Sequence, residues 1–448
     1  MRPRYWIDLQ DIFITPIFLL IIIGIMLAVR SQVRDTVIRP YFLPAFGVKL
    51  VGAIALGLIY QFYYRGGDTY NFFREAGVVW QAFTEAPGLA LRIIFAEVPN
   101  YSPDLYLYTS RMYFFSHGDS ATYNVIRLAA FFSIISFHTY TTIAVLFAVV
   151  SFTGMWAMFR AFYDMYPALH RPLAVAVFFV PSVFFWGSGL MKDTLTLGAL
   201  GWTFYSFYFG LIKGRNVLVN VGILLVSIFI IRAIKVYIIS IFLPAMLLWL
   251  FLQYRTKIRS ALVRAIALPF LIAVALPFAY LAFVQITADN ERYKLENLAA
   301  TAEVTADWLK TMSEIDRGSG YSLGQSDFSP AGMAAVFPQA IWLGLFQPHP
   351  WQAGFNPVML LAALEASFFL YITLRILFTT NLFRLYSIFF QHPVLLFCLL
   401  FCVVFAGGVA LASSNYGTMV RYRIPLQPFY LSMLYIIRYQ LNNSTKLF

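Results

Sequence analysis

Residues 42–68 read FLPAFGVKLVGAIALGLIYQFYYRGGD. The stretch from 42 to 62 is apolar almost throughout, and a helix of that length covers about 30 Å, the thickness of a bilayer's hydrocarbon core. At Arg65-Gly66-Gly67-Asp68 the character changes abruptly, so the chain leaves the apolar layer and a carboxylate stands where it emerges. The same alternation recurs along the chain. Of the 448 residues 60% are hydrophobic and 12% charged, against roughly 45–50% apolar and about 25% charged for a soluble domain. The fold class is therefore an all-α polytopic integral membrane protein, with about 11–13 transmembrane helices expected from the number of span-length apolar segments. Aromatic residues make up 19%, a richness that suits interfacial belts and a cavity stacking against sugars or acyl chains.

Working outward, residues 12–29 form the span before this one. After it come spans at 140–160, 173–188, 194–212, 216–231, 236–253, 265–285, 357–378, 393–411 and 424–438. The segments 122–137 and 331–347 are apolar but short, and whether 122–137 crosses decides the parity of everything after it. Arg30, Arg34 and Arg39, and later Arg255, Lys257, Arg259 and Arg264, mark cytoplasmic loops. That places Asp68 outside, and with it Arg2 and Arg4, against the positive-inside preference. Two long extracytoplasmic loops are expected to carry interfacial helices, 63–137 and 286–356, within a single transmembrane domain. Residues 70–95 read as one such helix, with Phe73, Val79, Phe83, Leu91 and Ile94 on its apolar face. The Gly- and Ser-rich run 319–329 reads as a mobile lid. The first apolar segment is long and lacks a small-residue cleavage site, so it is expected to stay as a span.

The net charge of +12 reflects loop Lys and Arg; no basic stripe forms, and nucleic acid is not an expected partner. Cys398 and Cys402 lie four apart in one apolar helix, which makes them filler rather than a disulfide framework. No His, Cys or carboxylate spacing matches a metal site, so no cofactor is expected, although a divalent metal is chemically compatible with the acids present. No Walker loop, dinucleotide fingerprint or nucleophile elbow occurs.

Charges near membrane depth are expensive and commonly functional. Those predicted on one side are Asp68 with Arg74 and Glu75, Lys192 with Asp193, Arg232 with Lys235, His349, and Arg421 with Tyr422 and Arg423. Asp68 can act as a general base or simply cap the following helix. Glu75 falls on nearly the same helical face and either assists Asp68 or pairs with Arg74. Ser188 can cap a helix in which Lys192 and Asp193 neutralise each other; alternatively Lys192 holds a lipid phosphate. Arg232 and Lys235 either snorkel to head groups or bind phosphate, where Arg offers a bidentate fork. Arg421 and Arg423 call for a phosphate or a carboxylate such as Asp68. His349, between two prolines, reads as a turn residue, and Glu365, inside an apolar span, as neutral or paired with an Arg.

The Asp of Arg65-Gly66-Gly67-Asp68-Thr69-Tyr70 just after an early span, the long first loop and the late Arg421-Tyr422-Arg423-Ile424-Pro425 together resemble the type C superfamily (GT-C) of multi-spanning glycosyltransferases. Gly189-Leu190-Met191-Lys192-Asp193 is similar to a stretch found in bacterial polysaccharide-cluster membrane proteins. The resemblance implies sugar transfer from a polyprenyl-phosphate donor to a glycan, lipid or protein acceptor, at the outer face of a bacterial inner membrane, in cell-envelope polysaccharide synthesis. It implies Asp68 as the base and Lys192, Arg232, Arg421 and Arg423 as phosphate ligands. Thr69 stands where members often carry a second acid, and two spans rather than one precede the loop. Two other readings stay open. One is a polymerase- or ligase-like enzyme joining lipid-linked oligosaccharides, with Arg292 and Arg317 of the second loop at its site. The other is a transporter or scaffold for lipid-linked sugar, for which paired broken helices or inverted repeats are the signature.

Overall fold

A computed structural model describes residues 6–255, 320, 321, 323, 330–354, 356–413 and 415–444. Among these residues the chain is helical, with no strand beyond an isolated bridge between Gly320 and Asn415. Seven helices among the described residues are long and apolar enough to cross a membrane: Leu9–Ser31, Arg39–Phe62, Tyr140–Met165, Lys192–Ile212, Val217–Tyr254, Pro357–Thr379 and Pro393–Ala412. The protein is an all-α polytopic integral membrane protein. The expected span 265–285, the run 319–329 read as a lid, and Arg292 and Arg317 lie essentially outside the described residues.

The chain divides into two compact units. The first comprises Met1–Ala161, Val183–Phe207 and Leu218–Lys235. Here α1 (Leu9–Ser31) opens on Asp8, whose side chain accepts from Gln10 N in a capping box with Asp11. Asp11 itself is buried and accepts from Thr141 N at 2.7 Å, satisfying a free amide in the first turn of α8 (Tyr140–Met165). The helix expected at 70–95 is two: α3 (Asp68–Glu85) and α4 (Pro87–Phe95). The break falls at Ala86 because the residue before a proline is driven out of the helical region. Val79 and Ile94 are buried as expected, whereas Leu91 is exposed. Short helices α5 (Pro103–Thr109) and α6 (Tyr113–Ser116) lead to α7 (Ser120–Ile135), capped by Asp119. At 16 residues, α7 covers about 24 Å, less than the hydrocarbon thickness, and it packs along α3.

A broken pair follows, α9 (His170–Phe178) and α10 (Pro181–Trp186), then α11 (Lys192–Ser206). The expected span 173–188 is thus interrupted before Pro181. Within the first unit α8 and α11 meet through glycine: a Cβ on Gly154 would lie 1.8 Å from the Gly198 carbonyl oxygen. Small residues bring helix backbones together in this way inside membranes. The two segments expected at 216–231 and 236–253 run together as α12 (Val217–Tyr254) and part at a kink at Lys235 (φ −144°, ψ 76°), inside the stretch where the break was expected.

The second unit comprises Phe162–Ser182, Tyr208–Val217 and Val236–Phe448. Its described helices after α12 are α13 (Pro330–Phe346), α14 (Pro357–Thr379), α15 (Leu382–Gln391), α16 (Pro393–Ala412), α17 (Tyr416–Tyr422) and α18 (Gln427–Ser444). Asn356, Asn381 and Asn415 cap α14, α15 and α17. An aromatic core of Phe242, Phe397, Phe401 and Phe429 has edge-on ring contacts at 4.9–5.7 Å. Cys398 and Cys402 are buried free thiols on α16, packing residues as their spacing suggested.

Candidate functional site

Three helix starts in the first unit carry charged side chains. Asp68 is the first residue of α3 and half-buried; Gly67, with φ +121°, occupies the cap position expected for Asp68. The two glycines have different jobs. A Cβ on Gly67 would press to 2.6 Å from the Tyr60 ring, whereas nothing lies within 4 Å of one on Gly66. Both take positive φ in the turn; Gly67 is also packed on Tyr60, while Gly66, two residues before Asp68, borders open space.

Asp119 heads α7, where its carboxylate accepts from Thr122 N at 2.9 Å. Lys192 and Asp193 head α11, whose cap is Met191 with no side-chain bond. Ser188 does not cap it: its hydroxyl donates back to Phe184 O. Nor do Lys192 and Asp193 form the neutralising pair. Asp193 is buried and its Oδ1 lies 2.5 Å from Lys235 Nζ, at the break in α12. Lys192 is left half-buried at the centre of a field set by Asp119, Lys235, Asp68 and Asp193. Asp68, Asp119 and Lys192 thus bring three helix N-termini within electrostatic reach of one another. Each presents the positive end of a helix dipole, an environment that favours anions.

Glu75 lies about two turns into α3 and is buried. Its partner is not Arg74, which is exposed, but the turn opening α6: Phe114 N donates to Oε1 at 2.9 Å, while Oε2 has no hydrogen-bond partner among the described residues. Burial pushes its carboxyl up to about 7, with the backbone N–H groups near 113–115 and the Arg74 charge opposing. Arg232 is exposed, three positions before the buried Lys235.

Beside this cluster runs an apolar groove of about 730 Å³, lined by α7, α8, α11 and the first half of α12. Leu195, Ala199 and Trp202 line it from α11, three, seven and ten positions beyond Lys192, so Lys192 ends their helical stripe. Ala233 and Ile234 line it from α12 immediately before Lys235. Leu218, Val219, Val226 and Phe229 on its rim are strongly exposed, which opens it to the lipid side. Asn124 crosses its floor, donating to Ala233 O at 2.9 Å.

The second unit has its own polar centre. Arg423 is 1% exposed and donates to the carbonyls of Gly344 and Gln347; its Nε and Nη2 have no partner among the described residues. The carboxylate acting on it is Glu365, buried in α14, which accepts from Ser182 N at 2.9 Å and from Gln427. Glu365 takes its hydrogen bonds from Ser182 and Gln427 rather than from an Arg, and it bears on Arg423 through its charge alone. Arg421 and Tyr422 are half-buried beside it. His349 behaves as a turn residue: its backbone N donates to Gln352 Oε1 at 2.7 Å, and its ring stacks on Trp351. No group of three or more His, Cys, Asp or Glu that could hold a metal occurs among the described residues.

Sequence reading missed Asp119, Lys49 and the groove. Lys49 had a signal, a lone charge in an apolar span. Asp119 reads as an ordinary cap, and only the fold brings it to Lys192. No family model, curated protein or solved structure matches the chain.

Proposed function

We propose that this protein is a membrane glycosyltransferase that uses a polyprenyl-phosphate-linked sugar at the outer face of a bacterial inner membrane. The observation that carries the reading is the placement of Lys192 at the polar end of a lipid-open apolar groove, within reach of Asp68. A groove of about 730 Å³ is in the range of small-molecule sites, roughly 300–1,000 Å³, and its apolar wall suits an isoprenoid chain. The phosphate would lie against Lys192 and the N-termini of α3, α7 and α11. Asp68, two residues beyond the open space at Gly66, takes the proton of an acceptor hydroxyl. The hydroxyl oxygen attacks the anomeric carbon, and the bond from that carbon to the phosphate oxygen breaks. The polyprenyl phosphate leaves with the electron pair, and the sugar is inverted.

The break in α12 at the Lys235–Asp193 pair favours a second reading, movement of lipid-linked sugar without chemistry, since discontinuous helices often hold transport sites. Purified protein in liposomes, supplied with radiolabelled polyprenyl-phosphate sugars and membrane acceptors, separates the two. Transfer of label to a product of new mass, lost in Asp68→Asn, supports the transferase. Label that crosses the bilayer with its mass unchanged supports transport and overturns the transferase.

A further inference from the structure

We infer that Lys49 is the positioning residue that holds the 187–191 turn and thereby sets where Lys192 and Asp193 stand; its link to function rests on reading Lys192 as the phosphate-holding group. Lys49 lies in the middle of α2 (Phe42–Phe62) and is 1% exposed. Its Nζ donates to Gly187 O at 2.7 Å and to Ser151 Oγ at 3.0 Å, and Ser151 Oγ donates to the same carbonyl at 2.9 Å. No carboxylate pairs with it among the described residues. An amine buried at membrane depth is costly. Gly187 O accepts from both Lys49 and Ser151, and Lys49 also donates to Ser151, so Lys49 ties the turn and α8 together at one point.

The geometry around Lys49 shows what it controls. α10 ends at Trp186, and the chain must turn before α11 begins at Lys192. Three carbonyls through that turn are each taken by a side chain: Phe184 O by Ser188, Gly187 O by Lys49 and Ser151, Gly189 O by Thr194 at 2.6 Å. The same face of α2 packs along it. A Cβ on Gly52 would meet Phe184 O at 2.2 Å, and one on Gly189 would meet the Leu56 side chain at 2.8 Å. Lys49, Gly52 and Leu56 are spaced at three and four positions, a single helical stripe. Further along α2, Tyr60 packs on Gly67 beside Asp68 and against Trp186. One helix therefore braces both the Asp68 side and the Lys192 side of the cluster, and Lys49 is its polar hold on the second.

The test uses the full chain in nanodiscs, comparing wild type, Lys49→Met and Lys192→Gln. Hydrogen exchange of the amides at 187–193 reads the turn. The ratio of affinities for farnesyl phosphate and farnesol reads the phosphate position apart from the apolar groove. Lys49→Met is expected to speed exchange at 187–193 by about tenfold or more, leave exchange elsewhere in α2 and α8 unchanged, keep the melting temperature and bring the affinity ratio close to one. Lys192→Gln is expected to lose the ratio without faster exchange. Unchanged exchange at 187–193 in Lys49→Met, or an equal rise throughout the first unit, overturns the inference. If wild type binds farnesol and farnesyl phosphate equally, the phosphate role of Lys192 falls, and exchange alone decides the role of Lys49.

Discussion

Lys235 Nζ lies 2.5 Å from Asp193 Oδ1, both side chains buried, at the one non-helical residue inside α12. This pair ties the start of α11 to the broken helix that borders the groove. A buried ion pair is not by itself stabilising, because desolvation offsets the attraction, but removing one partner strands a charge and costs about 3–5 kcal/mol. Asp193→Asn and Lys235→Met should each lower the melting temperature markedly in detergent. The double variant should recover most of the loss. A double-mutant cycle showing simple additivity would mean the pair is not coupled.

Glu75 makes the stability of the first unit pH-dependent. Its folded carboxyl is raised from 4.5 to about 7 by burial, so the folded state holds a proton that the unfolded state has released. Stability is then highest below the unfolded value and falls as pH rises from about 4.5 through about 7, by up to about 3 kcal/mol. Glu75→Gln keeps the shape and removes the titration. Thermal unfolding between pH 5 and 8 should show this component in wild type and not in Glu75→Gln; identical profiles would refute the assignment.

The groove can be filled without disturbing the packing that surrounds it. Gly222 lines it, and a Cβ there meets nothing within 4 Å. Gly222→Trp should therefore weaken farnesol and farnesyl phosphate alike, by about tenfold or more, while the melting temperature holds. Equal binding by wild type and variant would place the apolar chain elsewhere.

Most of the helical layout is legible in the apolar runs, because hydropathy and length alone decide which segments can cross. Where reading and structure part, local chemistry is responsible. Pro87 cuts the surface helix in two, and Pro181 follows the break in a span. The site was legible as residue types rather than as partnerships. Asp68, Lys192, Asp193 and Lys235 each stand out as charge near an apolar boundary, yet which acid meets which base depends on helix packing that no local pattern encodes. Asp193 lies next to Lys192 in sequence and pairs with Lys235; Glu75 lies next to Arg74 and binds the turn at Phe114.

The catalytic assignment turns on Asp68. Asp68→Asn preserves the start of α3 and the packing of Gly67 on Tyr60, so folding and farnesyl phosphate binding should be unchanged. Transfer should fall by a factor of about 100 to 10,000, the usual contribution of a general base. Retained transfer in this variant would remove Asp68 from the mechanism, and loss in Arg317→Ala would then point to the second loop and to polymerase-like chemistry.

The most direct measurement of the central claim is photo-crosslinking of the intact protein with an isoprenoid phosphate carrying a photoreactive group on its chain, mapped by peptide mass spectrometry. The placement of Lys192 at the end of the groove predicts adducts on the groove walls at Leu195, Trp202 and Val226, competed by farnesyl phosphate more strongly than by farnesol and weakened in Lys192→Gln. Adducts confined to other surfaces, or groove adducts competed equally by the alcohol and the phosphate, would contradict it.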